Sequence, residues 1–340
     1  MWRKYENRKM EIEDEKYMRR CIQLARNGRC GAPPNPMVGA VIVHQGRIIG
    51  EGYHAKCGQA HAEVNAIRSV RRPELLPEST LYVSLEPCAH YGKTPPCADL
   101  IVEKGIGRIV IGCQDPFPKV DGRGIEKLRQ AGREVVVGVL EAECRELIHR
   151  FITYHTCKRP YITLKWAQSA DGYIDRRRKE GEMPARLSNV YTQMLVHKQR
   201  AEHAAIMVGT DTARLDNPRL DVRAWVGPQP VRVVIDSNHR LPADLHLFEG
   251  EQPTLTYDTR NLSLILADLY DRGLQSLLVE GGAKLLQSFI DAGLWDEIVV
   301  EEAPVRLEDG VEAPVLPRHL SGKRETHFGH QFCTFTCNHL

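Results

Sequence analysis

The sequence has no apolar run near the roughly twenty residues needed to span a bilayer, so no membrane partner is expected. It has no excess of one charge: 46 lysines and arginines stand against 44 aspartates and glutamates, a formal net charge of +2. Aromatic residues make up only 6%. Neither the basic field nor the stacking residues of a nucleic-acid-binding protein are therefore present, and no nucleic-acid partner is expected. The first residues, Met1 to Lys16, carry both charge signs and lack the apolar stretch of a secretory signal, so the expected location is cytoplasmic. In that reducing compartment the ten cysteines are expected as thiols or metal ligands, not as disulfides. No Gly-x-Gly-x-x-Gly stands at a strand–helix junction, which argues against a Rossmann dinucleotide domain. No repeat or low-complexity tract divides the chain.

What is present is enough chain for two cores: 340 residues exceed what one usually serves. Met18, Cys21, Ile22 and Ala25 recur at helical spacing and predict a helix over 17–26, stopped by Asn27-Gly28. Strands follow over 38–43 and 47–53, joined at Gln45-Gly46, then a helix over 62–70. Strands over 80–85, 108–112 and 134–139 alternate with helices over 97–104, 125–130 and 141–155. That alternation predicts a three-layer α/β domain. Pro160 disfavours a helix running into the next strand, which places a boundary near Cys157-Lys158-Arg159-Pro160. A second alternation has strands over 161–167, 205–208, 231–236, 276–279 and 297–300, and helices over 189–202, 262–271 and 283–292. The tail, 319–340, has histidines and two cysteines without ligand-like spacing and is assigned no role.

Three short segments carry the chemistry. His61-Ala62-Glu63 opens a predicted helix, Pro87-Cys88 follows a predicted strand, and Pro96-Cys97 opens the next helix. A catalytic zinc takes three protein ligands and keeps a fourth position for water, whose pKa it lowers; one imidazole and two thiolates meet that count. Glu63, beside the metal but not on it, is placed to carry protons from water to a leaving ammonia. Zinc nucleobase deaminases carry His-x-Glu and Pro-Cys-x-x-Cys; here eight residues separate Cys88 from Cys97. Alone, a His-x-Glu triplet is a solvated helix start and a buried cysteine a small hydrophobe. The ordered set points to deamination of an amino-substituted pyrimidine-like ring. A structural zinc would need a fourth protein ligand, for which His90 or Cys57 could serve. The other cysteines (Cys21, Cys30, Cys113, Cys144, Cys157, Cys333, Cys337) read as packing residues.

The sequence resembles the bifunctional riboflavin-biosynthesis deaminase–reductase family over nearly its whole length. The resemblance rests on Pro34-Asn35-Pro36-Met37-Val38-Gly39, the His61-Ala62-Glu63 triplet, the segment from Glu86-Pro87-Cys88 through Gly92-Lys93-Thr94-Pro95-Pro96-Cys97, and Gln114-Asp115-Pro116. It continues with Leu164-Lys165, Ser169-Ala170-Asp171-Gly172, Asp216-Asn217-Pro218, Val234-Ile235-Asp236-Ser237 and Val279-Glu280-Gly281-Gly282. It implies a cytidine-deaminase-like three-layer α/β/α domain over 11–155, then a dihydrofolate-reductase-like α/β domain over 156–340. Zn2+ would serve the first domain and NADPH the second. The substrate implied is 2,5-diamino-6-ribosylamino-4(3H)-pyrimidinone 5′-phosphate, deaminated and then reduced from ribosyl to ribityl. By position, Asn35, His54, His90, Lys93 and Thr94 would line the deaminase pocket. Ala167, Thr212, Asp216, Ser237 and the segment beginning Gly281-Gly282-Ala283-Lys284 would touch NADPH. Lys165, Arg200, Leu220, Arg223 and Glu280 would touch the substrate, the arginines suiting its phosphate.

The chain departs from the family in one segment. Where the family commonly has Ser-x-Trp-Ile, it reads Met183-Pro184-Ala185-Arg186-Leu187. Arg186 would stand in for the tryptophan, and the preceding Arg176-Arg177-Arg178-Lys179 reads as a solvated loop. The departure motivates a second reading, a deaminase whose reductase-like half binds without reducing, and leaves the choice of NADPH over NADH open. A third reading, a zinc-stabilised nucleic-acid module, is opposed by the near-neutral charge and by Glu63. A homodimer is expected, because metabolic enzymes often assemble symmetrically.

Overall fold

The computed structural model describes residues 2–91, 95–117, 121–179, 181–318 and 320–337. Two compact units divide the chain, Met1–Cys157 and Lys158–Leu340. Among the described residues no helix is long and apolar enough to cross a membrane.

The first unit runs α1 (Trp2–Ala25), β1 (Gly39–His44), β2 (Arg47–Tyr53), α2 (Ala62–Ser69), β3 (Thr80–Leu85), α3 (Cys97–Glu103), β4 (Arg108–Cys113), α4 (Arg123–Gln130), β5 (Glu134–Val137), α5 (Glu141–Leu147) and α6 (His149–Cys157). Its sheet has the order β2-β1-β3-β4-β5. β1 is antiparallel to β2 and to β3, while β3, β4 and β5 are parallel. Successive residues of a strand face opposite sides, and both sides are covered. Val41 and Val43 join α1 and α5 through Met18, Cys21, Cys144 and Leu147. Ala40 and Ile42 join α2, α3 and α4 through Ala66, Ile101 and Leu128. Helices over both faces explain why β1 and β4 read as nearly unbroken apolar runs.

α1 begins fifteen residues before the helix expected over 17–26. Periodicity marks only the buried face, and before Tyr17 that face, within the residues whose burial is described, consists of Asp14. The extension is rich in Arg, Lys and Glu, good helix formers that also pair along the surface, as Glu15 and Arg19 do at 2.8 Å. The single helix expected over 141–155 is two: Ile148 leaves helical geometry, with φ −113°, and the His149 ring bonds the Glu146 carbonyl.

The second unit runs β6 (Tyr161–Ser169), β7 (Tyr173–Asp175), α7 (Val190–Ala201), β8 (Ala205–Val208), α8 (Thr210–Asp216), β9 (Val231–Ile235), β10 (Thr254–Tyr257), α9 (Leu262–Asp271), β11 (Ser276–Gly281), α10 (Ala283–Asp291), β12 (Glu297–Ala303), β13 (Val311–Glu312), β14 (Gly322–His327) and β15 (His330–Thr336). Its main sheet has the order β10-β9-β8-β11-β6-β12-β15-β14. The pairs from β10 to β12 are parallel, and β15 and β14 close the sheet antiparallel. The unit is the dihydrofolate-reductase-like α/β arrangement that the resemblance implied. The tail, assigned no role above, contributes β14 and β15 as an antiparallel hairpin. Its two-residue turn, Phe328-Gly329, has φ of 52° and 82°. Two positive values are what a tight hairpin needs, but Asn or Asp usually supplies the first, so Phe328 hid the signal.

One buried cluster ties the first unit's N-terminal helix to its sheet. Both Nη atoms of Arg108 on β4 donate to the Asp14 carboxylate of α1 at 2.9 and 2.8 Å, and the Tyr82 hydroxyl of β3 donates at 2.8 Å. Removing one member of a buried pair leaves the other charge uncompensated, at about 3–5 kcal/mol. Asp14→Asn is expected to lower the first unit's unfolding free energy by about 3 kcal/mol, read as a shift in its urea midpoint by tryptophan-independent far-UV circular dichroism; an unchanged midpoint would refute the anchoring role.

Candidate active sites

α2 comes close to the sheet because β2 presents glycine to it: a Cβ on Gly52 would lie 2.4 Å from the Ala66 nitrogen. That packing delivers His61, the residue capping α2 in extended conformation, to Cys88 beyond the end of β3 and to Cys97, the first residue of α3. The three ligand atoms lie within 4.8 Å of one another. Cys88 Sγ and Cys97 Sγ stand 3.5 and 3.4 Å from His61 Nδ1. Zinc bonds of about 2.05 Å to nitrogen and 2.3 Å to sulfur at a tetrahedral angle place the two donors about 3.5 Å apart, so the residues fit that ion. Among the described residues the group stops at three; His90 and Cys57, the candidates for a fourth ligand, are exposed.

The electrostatics follow the geometry. A hydrogen bond from the Cys97 thiol, opposed by burial and helped by the His61 ring, holds Cys88 well below the usual thiol range; the same bond, then burial and the Glu63 charge, raises Cys97. The backbone N–H of Cys97 also donates to Cys88 Sγ at 3.3 Å. Thiolate character at a helix start is how a cysteine is prepared for a metal. Glu63, 3% exposed in the first turn of α2, is pushed up to about 7 by burial and then by the negative charge of Cys88. Burial lowers His54. Its Nδ1 faces the Ala60 carbonyl at 3.1 Å and so carries the proton, leaving Nε2 to accept from Asn35 Nδ2 at 3.0 Å. Asn35 is thereby oriented, its amide nitrogen turned to His54. His90 is exposed, and Lys93 and Thr94 lie outside the described residues.

Glu86 is a positioning group that residue-type reasoning passed over. Its buried carboxylate accepts from the backbone N–H groups of Asp115, Gly122, Gly124 and Ile125, at 3.2, 3.0, 2.8 and 3.2 Å. It fixes the start of α4 beside the Pro87-Cys88 segment. The four partners lie far along the chain, so the sequence carried no sign of it. Of the cysteines read as packing residues, Cys21, Cys113 and Cys144 are buried, Cys333 and Cys337 half-buried, but Cys30 and Cys157 are exposed. A thiol at the surface costs little, so composition does not separate the two cases.

The second unit holds a cavity of about 1260 Å³. Lys165, Ala167, Arg200, Thr212, Asp216, Arg223, Glu280, Gly281, Gly282, Ala283 and Lys284 all border it. Ser237 and Leu220 are not among its lining residues: Ser237 accepts from Arg260 at 3.0 Å, and Leu220 is buried in the core beside α8. Gly282, at φ 80°, begins α10 so close to α8 that a Cβ would lie 3.0 Å from Thr212 Oγ1. This bare helix start at the cavity wall suits a dinucleotide's phosphates. All of Met183 to Leu187 line the cavity too.

Two arginines differ from expectation. Arg200, expected to face phosphate, commits three of its five N–H donors: Nε and Nη2 to Glu280 at 2.9 and 2.6 Å, and Nη1 to the Asp221 carbonyl at 3.1 Å. Arg178, expected in solvent, has a 6% exposed side chain that pairs with Asp175 and Asp216 and bonds the carbonyls of Leu215 and Glu182. Neighbouring Arg176, Arg177 and Lys179 are exposed, so the charge run concealed one inward member.

Residues 11–113 match the cytidine and deoxycytidylate deaminase zinc-binding region, and residues 160–316 match the RibD C-terminal domain. The riboflavin biosynthesis protein RibD of Aquifex aeolicus is 39% identical over 88% of this chain and 89% of its own length. The chain belongs to the RibD family. The RibD of Escherichia coli is 35% identical over 86% of this chain and 88% of its own. The crystal structure of a diaminohydroxyphosphoribosylaminopyrimidine deaminase/5-amino-6-(5-phosphoribosylamino)uracil reductase from Thermotoga maritima superposes with a TM-score of 0.87 at 36% identity, covering 96% of this chain and 99% of that one. As a RibD-family protein the chain is a bifunctional deaminase–reductase of riboflavin biosynthesis, with Zn2+ and NADPH as cofactors.

The raised Glu63 has a consequence for metal-free protein. A carboxyl whose folded pKa of about 7 exceeds its reference value of 4.5 stabilises the fold fully below 4.5. That contribution, about 3 kcal/mol at most, is lost as pH rises through 7. Urea titrations of zinc-stripped protein at pH 5 and pH 8 should show the loss, and Glu63→Gln should flatten it; a Glu63→Gln curve as steep as the native one would rule it out.

Proposed function

We propose that residues 11–155 deaminate 2,5-diamino-6-ribosylamino-4(3H)-pyrimidinone 5′-phosphate and residues 156–340 then reduce its ribosyl side chain to ribityl with NADPH. The observation that carries the first half is the convergence of His61, Cys88 and Cys97 beside the buried Glu63 carboxyl. His61, Cys88 and Cys97 would hold the zinc, whose role when bound is to make water nucleophilic near neutral pH. Glu63 takes a proton from the attacking water and delivers it to the ring amino group, which leaves as ammonia as the C–N bond breaks. One carboxyl beside the metal can serve first as base toward the water and then as acid toward the leaving amine. Asn35, its amide aimed by His54, accepts from an N–H on the ring edge. His90, Lys93 and Thr94 complete that pocket.

In the second half NADPH supplies the hydride. Ala167, Thr212, Asp216 and the Gly281, Gly282, Ala283 and Lys284 turn would hold it, with the altered segment through Arg186 lining the same cavity. Lys165 and Glu280, which border the cavity, address the ribosyl chain, and the core residue Leu220 supports that wall from behind. Arg200 serves mainly to orient Glu280, and the exposed Arg223 is the freer group for the 5′-phosphate. The protein works in the cytoplasm, and a homodimer is its proposed assembly.

The test supplies zinc-loaded protein with the diaminopyrimidinone phosphate and follows ammonia and NADPH together. Ammonia should appear first and NADPH oxidation second, with NADH a poorer donor. Ammonia without oxidation of either nucleotide would leave a deaminase with a merely binding second half. Glu63→Gln should keep its zinc yet lose deamination by about 10²–10⁴-fold, whereas Cys88→Ser should lose both.

A further inference from the structure

Beneath α7, four adjacent strands bring buried polar groups into one row. Glu280 stands on β11, Lys165 on β6, Glu301 on β12 and His330 on β15, in the sheet's own spatial order. Lys165 Nζ lies 3.6 Å from Glu301 Oε2, and its charge also acts on Glu280, which Arg200 grips from α7. Glu301 is wholly buried. The Ser188 hydroxyl donates to its Oε2 at 2.8 Å, and His330 Nδ1 meets its Oε1 at 2.8 Å. Burial alone would raise Glu301, but Lys165, Thr192, Ser188 and His330 together hold it below the usual carboxylate range. Lys165 borders the cavity, while Glu301 and His330 are not among its lining residues.

We infer that Glu301, braced by His330 from the C-terminal hairpin, is a positioning residue of the reductase site that fixes the Lys165 ammonium toward the substrate. A lysine head on a four-carbon stem has many rotamers, and a buried carboxylate held by its own partners removes most of them. His330 and Ser188 each take one carboxylate oxygen, so the carboxylate plane is set before the substrate arrives. Glu280 is then left to Arg200 and the substrate. The inference rests on the proposed contact between Lys165 and the substrate.

The test uses full-length, zinc-loaded protein given the deaminated intermediate and NADPH. Glu301→Gln should cut kcat/KM for reduction by about 10- to 100-fold, while the affinity for NADPH, followed by nucleotide fluorescence, and the deamination rate stay within about twofold. In a Lys165→Met background Glu301→Gln should add nothing further, since a residue acting through another is silent once that one is gone. Where Glu301→Gln does not fold, the His330 pair decides. His330→Asn keeps a donor in the place of Nδ1 and should retain activity; His330→Ala should lose about 5- to 20-fold. Full reduction by Glu301→Gln or His330→Ala, with Lys165→Met crippled, overturns the inference. Full reduction by Lys165→Met overturns the substrate contact beneath it.

Discussion

A carboxylate taken out of water must be paired or must hold its proton, and the architecture of this protein follows from how that demand is met. Asp14 is paired with Arg108 and Tyr82, and α1 is thereby fixed to the sheet. Glu86 has four backbone N–H groups, and the start of α4 is fixed beside Cys88. Asp296 takes Arg159 and the Ile162 amide, which sets the first strand of the second unit. In each case the pairing is complete and the result is structural. Glu63 is surrounded instead by His61 and two sulfurs. Its pairing is incomplete, and its proton is therefore available for chemistry.

The same reasoning links metal to mechanism. The donor atoms stand at zinc-like separations, delivered by a helix cap, the segment after a strand end and a helix start. Glu63 follows the α2 cap His61 by two residues, so the backbone positions of carboxyl and ligand are set by the same helix start.

Legibility in the sequence divided along a physical line. Most strands and helices of both sheets could be read because their apolar residues recur with the right period, and His61, Cys88, Cys97 and Glu63 because metal chemistry demands particular side chains at particular junctions. The first half of α1 and the β14–β15 hairpin could not, since a mostly charged segment with scattered apolar residues shows no clear period and Phe328 is not the usual turn residue; α8 and β10 went unread as well. Partners joined only by folding were also invisible: Glu86 with its four amides, Arg178 among exposed arginines, and Arg200 turned to Glu280. The cavity of the second unit was inferred from resemblance, because hydride transfer asks more of shape than of side-chain identity.

The row beneath α7 is where these arguments meet. The opposite face of the same strands is packed with Ile162, Leu164, Ile298 and Val300, so this sheet supports apolar packing perfectly well. A buried network of charges is weak evidence for stability, because well-packed apolar residues in its place would often hold the fold as firmly. What an apolar layer could not do is present an ammonium and a carboxylate, each with a fixed direction, to the wall of a cavity. The polar face is the one toward Lys165 and Glu280, both of which border that cavity. Charge has been buried on the side where the substrate is handled, and the hairpin at the chain's end supplies the last group that keeps it in place.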